Sequence, residues 1–97
     1  MRYEVLIQPS AEREIEEAYL WLAEQSPHAA ALWYNALVDA VLSLETLAKR
    51  CPVAPESSAF RREIRQLICG NYRILFTIAR RQVRILHVRH CARDYLQ

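Results

Sequence analysis

Residues 62–90 alternate apolar and polar side chains with the period of a β-strand, and that alternation limits the folds open to this chain. Three runs, 62–68, 72–79 and 83–90, carry Val, Ile, Tyr and Phe at about every second position, which suits a pleated, half-buried surface. Cys69-Gly70-Asn71 and Arg80-Arg81-Gln82 are the expected turns. Gly70, the only glycine, stands where a tight turn calls for positive φ. The expectation is an antiparallel meander across the C-terminal half.

Nine arginines stud this region, at 61, 62, 65, 73, 80, 81, 84, 89 and 93. Residues 1–48 set two basic side chains against eight acidic ones, a net of −6. Residues 49–97 set eleven against three, a net of +8. The whole-chain value of +2 conceals that dipole, and charge asymmetry between halves points to an acidic or nucleic-acid partner. Only one basic residue of the second half is lysine, Lys49, and the planar guanidinium fork matches phosphate and carboxylate better than an ammonium does.

Ninety-seven residues are enough for one domain. No apolar run is long enough to span a bilayer, and the N-terminus lacks a basic-then-apolar leader. Cys51, Cys69 and Cys91, an odd number at wide spacing, argue for a reducing cytoplasm and not a disulfide framework. His87, His90 and Cys91 are neighbours in sequence, but on a strand the two histidines face opposite ways, so no metal site is expected. His87 reads as a packed core histidine.

The N-terminal half reads as a strand within residues 2–8, stopped at Pro9, and then two helices, 10–25 and 27–49. Ser10 is the expected cap of the first. Ser26-Pro27 ends that helix and opens the second, serine as cap and proline at the first helical position. Ala11, Ile15, Ala18, Tyr19 and Leu22 form one apolar stripe. Ala30, Tyr34, Leu37, Val41, Leu44 and Ala48 form the other, with Trp33 and Leu47 on its flank. So short a link makes an antiparallel hairpin. The proline-punctuated segment 51–58 reads as a loop. The predicted fold is α+β, in the order β-α-α-β-β-β, with the hairpin on one face of a small, mainly antiparallel sheet.

At Ile64-Arg65-Gln66-Leu67, Asn71-Tyr72-Arg73-Ile74-Leu75-Phe76 and Val83-Arg84-Ile85-Leu86-His87-Val88-Arg89-His90, followed by Ala92-Arg93, the chain resembles the RelE/ParE superfamily of bacterial toxin–antitoxin toxins. Ala18-Tyr19-Leu20-Trp21-Leu22 and Ser26-Pro27-His28-Ala29-Ala30 resemble its helical hairpin in the ParE style. The resemblance covers nearly the whole chain. It implies a cytoplasmic toxin that arrests growth, is held by a cognate acidic antitoxin and needs no cofactor. Two target chemistries come with it, alongside a plain interaction module of the same fold. ParE-like members inhibit DNA gyrase. RelE-like members cleave mRNA on the ribosome; in that case Arg65, Arg73 and Arg93 would supply charge, and His90 or Tyr95 proton transfer. The lysine-rich strand of the ribonuclease branch is missing, which favours the ParE-like reading. Arg65, Arg73, Arg84, Arg89 and Arg93 are the expected partner-binding residues.

Overall fold

The computed structural model describes residues 2–60 and 62–92. The elements are β1 (Glu4–Ile7), α1 (Pro9–Gln25), α2 (Pro27–Leu47), a 3-10 turn (Ala48–Arg50), a short α3 (Ser57–Phe60), β2 (Arg65–Cys69), β3 (Tyr72–Ala79) and β4 (Gln82–His90). The strands lie in the order β1-β4-β3-β2, with β1 parallel to β4 and the other two pairs antiparallel. The predicted α+β fold and element order are therefore observed, with β1 joining the far edge of the meander.

Both meander turns are two residues long, because Cys69 pairs with Tyr72 and Ala79 with Gln82. Each has positive φ at its first position, 60° at Gly70 and 59° at Arg80. That is a glycine position in such a turn. A Cβ on Gly70 would meet nothing within 4 Å, so only the backbone demands glycine there. At Arg80 a bulky side chain occupies the same conformation.

Ser26 performs both predicted tasks. Its N–H donates to Leu22 O (2.8 Å), closing α1, and its Oγ accepts the Ala29 N–H (3.2 Å), opening α2. The reading of Ser10 as a cap is corrected. Pro9 is already helical and Gln8 is the flanking residue, without a side-chain cap. Ser10 Oγ instead donates to Leu86 O (2.8 Å) on β4. One turn later, Glu14 Oε1 accepts the Val88 N–H (3.0 Å). β1 ends at Ile7 opposite Ile85, and past that point side chains of α1 take over the hydrogen bonding of the β4 edge.

Between α1 and α2 and one sheet face lies the main core. Ala11, Ala18, Leu37 and Leu44 pack on Tyr72, Ile74, Phe76, Val83, Ile85 and Val88. Apolar burial of this kind is the main stabilising term for so small a domain. The stripe on α2 needs one correction: Trp33 joins the core, its ring 5.0 Å from that of Tyr72, whereas Tyr34 stays exposed and packs edge-on against Tyr19.

β4 does not keep one alternation along its length. The β3–β4 register shifts at Leu75/Phe76: Phe76 pairs with Ile85, but Leu75 pairs with His87. Leu86 is thus the extra residue of a bulge, and alternation reverses beyond it. Val88 and His90 share the helix-covered face with Val83 and Ile85, while His87 and Arg89 share the outer face with Arg84. His87 is accordingly not a core histidine. It is half-buried on the outer face, with Nδ1 3.1 Å from Glu14 Oε1.

The outer face is covered in part by the chain's own loop. β2 begins at Arg65, three residues later than expected, because the segment before it folds back across the sheet. Ala54 and Ile64 bury against Leu75 and Leu86, Thr77 Oγ1 donates to Glu63 O (3.0 Å), and Phe60 of α3 lies over His87 with ring centroids 6.5 Å apart. Ser57 Oγ ties the loop by donating to Ile64 O (2.9 Å) and accepting the Ile64 N–H (2.8 Å).

Candidate partner-binding surface

The expected site residues divide between the two faces of the sheet. Arg65 opens β2 opposite Phe76, on the helix-covered side. Its Nη1 donates to Lys49 O (3.1 Å) and Cys51 O (2.6 Å), and its Nη2 pairs with Glu63 Oε1 (2.8 Å). A cation held on carbonyls just past a helix C-terminus meets the negative end of the helix dipole, and it joins the end of α2 to the sheet. The same charge offsets a little of what burial does to Cys51: burial pushes the Cys51 and Cys69 thiols up, away from the reactive thiolate.

His90 shares that side of the sheet. Its ring stands edge-on to Tyr72 at 5.0 Å and 84°, and its Nδ1 accepts the Ala92 N–H (3.1 Å). Tyr72, the partner of His90, is four residues along β3 from Phe76, the partner of Arg65. That separation is roughly 13 Å, and buried Ile74 lies between them.

Arg73, Arg84 and Arg89 point the other way. Arg73 and Arg89 are cross-strand neighbours. Arg73 Nε donates to Gln66 Oε1 (3.0 Å), and its Nη2 donates to Glu56 Oε1 (2.7 Å). The hydrogen bond from Arg73, with the charges of Arg73 and Arg89, holds the Glu56 carboxyl below the usual carboxylate range. Arg84 is exposed nearer the opposite end, its Nε and Nη2 donating to Gln82 Oε1. Arg93 and Tyr95 lie outside the described residues. The structure therefore brings Arg73 and Arg89 together, sets Arg84 apart on the same face, and puts Arg65 and His90 behind the sheet.

Glu56 and Glu14 are the organising acids that the sequence reading did not single out. A signal existed for Glu56. The basic half holds only Glu56, Glu63 and Asp94 as acids, and two of these are counter-ions to Arg73 and Arg65. Glu14 gives no such signal, because nothing in an amphipathic helix says that one of its acids reaches a strand edge.

A family model described as the ParE toxin of the type II toxin–antitoxin system parDE matches residues 5–95. The chain belongs to the ParE toxin family. It is thus a type II toxin–antitoxin toxin, in the ParE-like branch of the RelE/ParE superfamily. Among solved structures, it is similar to a chain of the chromosomal ParDE system from P. aeruginosa, with a TM-score of 0.71 at 14% identity over 92% of this chain and 96% of that one. At that identity the likeness concerns the fold. No match is found among the curated proteins. For a ParE-family toxin, the exposed Arg84 on the outer face and the hairpin's exposed Leu20, Trp21, Leu32 and Leu42 lie where a partner can reach them. Among the described residues, no helix is long and apolar enough to cross a membrane.

Proposed function

We propose that this toxin arrests growth in the cytoplasm by acting on DNA gyrase, and that a cognate acidic antitoxin neutralises it. One observation carries the reading beyond family membership: the division of Arg65 and His90 from Arg73 by the sheet. Cleavage of RNA by 2′-OH attack needs cations and a proton-transfer group converging on one phosphate. Here Arg65 is committed to the end of α2 and His90 to Ala92. What remains on the surface is a set of charged and apolar patches suited to binding. Inhibition of a target enzyme by binding requires nothing more.

The test is to induce the chain without its antitoxin and follow DNA and protein synthesis by pulse-labelling. A DNA-damage response and failing DNA synthesis before any fall in translation is the expected result. Translation arrest with cut mRNA as the first event would contradict it.

A further inference from the structure

At the end of the sheet away from α3, the β3–β4 turn and the residues entering β1 enclose a cleft of ≈ 710 Å³. Arg2, Arg80, Arg81 and Arg84 line it. Its one acid, Glu4, has Oε1 occupied by Gln82 Nε2 (3.1 Å), and the other end of the Gln82 amide holds the Arg84 guanidinium through Nε and Nη2 (3.3 and 3.1 Å). Among the described residues, none of the four arginines makes an ion pair. Four exposed guanidinium groups against one engaged carboxylate leave a concentrated positive field that attracts anions.

We infer that this cleft binds the phosphodiester backbone of a nucleic acid. Two observations support an anion site here, and one, the makeup of the lining, favours that ligand class over an acidic protein segment. All four cations are arginines, whose forks take phosphate oxygens bidentately. Ala79 is the only apolar side chain in the lining, so the cleft lacks the aromatic or aliphatic anchors that make protein interfaces strong. Finally, Arg80 keeps φ 59° at the position where this turn favours glycine. Strain of that kind persists where the side chain serves a purpose, and here it holds a guanidinium at the tip of the hairpin. The inference does not depend on gyrase being the target.

The test is fluorescence anisotropy of the full-length chain with a labelled duplex DNA and an RNA of equal length, titrated across salt. Binding should weaken as salt rises. Arg81→Gln should weaken it several-fold and make the log–log salt slope shallower by about 0.9 on duplex DNA. Arg80→Gly separates folding from binding: it relieves the turn, so the melting temperature should hold or rise while affinity falls. Arg13→Gln, on α1, should leave both unchanged. Preference for the duplex assigns the ligand to DNA, and preference for RNA assigns it to a transcript. Equal binding by wild type and the Arg80 and Arg81 variants would overturn the inference, as would an acidic peptide taking the cleft with higher affinity than either nucleic acid.

Discussion

Arg73 and Glu56 form a 2.7 Å ion pair across the outer face of the sheet, and both side chains are mostly buried, at 13% and 20% exposure. The pair fastens the loop before β2 onto the strand behind it. Because Arg73 holds the Glu56 carboxyl low, the folded protein binds a proton there less readily than the unfolded chain does. The contribution is therefore complete above the unfolded carboxylate value, about 4.3, and is lost as pH falls through the lowered folded value. Glu56→Gln should cost about 1–2 kcal/mol near neutral pH. It should also flatten the fall in stability below pH 4.3, measured by urea denaturation across pH. An acid limb as steep as that of wild type would mean that the pair does not act as described.

Glu14 uses one oxygen for two partners, the Val88 N–H at 3.0 Å and His87 Nδ1 at 3.1 Å. Its removal leaves a strand amide unpaired beside a helix, where water reaches poorly. Glu14→Ala should lower stability by about 1–3 kcal/mol, and Glu14→Gln, which keeps an acceptor, by less. The denaturant midpoint should move with the slope unchanged.

Gly70→Ala isolates backbone strain from crowding, since φ is 60° and the space around a new Cβ is empty. The expected loss is about 1 kcal/mol. A neutral change, read by thermal denaturation, would show that the β2–β3 turn relaxes at no cost.

Much of the fold was legible because single residues in it obey strong local rules. Tyr72–Ala79 carries Tyr, Ile, Phe and Ile at every second position and forms a strand with those bounds. Ser26-Pro27 has one good conformational use and takes it. The errors came where a tertiary contact overrides a local rule. Ser10 looks like a cap, but Pro9 already starts the helix, which frees the hydroxyl for Leu86. Trp33 and Tyr34 are adjacent aromatics, and periodicity alone could not say which of them meets Tyr72. One bulge at Leu86 reverses the strand alternation for the residues beyond it, which puts His87 on the outer face where a packed core position was expected. The covering loop was hidden because its hold on the outer face comes from Ala54, Ile64 and Glu56, residues scattered through a segment with no period.

An acidic antitoxin held by the outer-face arginines should bind less tightly as salt rises, because exposed charge pairs are screened within about 10 Å at 0.1 M ionic strength. Isothermal titration of the toxin with an antitoxin segment at two ionic strengths measures this. Salt-insensitive affinity would move the contact to the apolar side of the hairpin, around Leu20, Trp21 and Leu32.

The most direct measurement is a supercoiling assay with purified gyrase and purified toxin, run beside primer extension on mRNA from induced cells, for wild type and His90→Ala. Inhibition of supercoiling by both proteins, with intact mRNA and undiminished growth arrest by the variant, is the result expected of a gyrase-directed toxin. Unimpaired supercoiling with cleaved mRNA, and toxicity abolished in a His90→Ala protein that still folds, would contradict it.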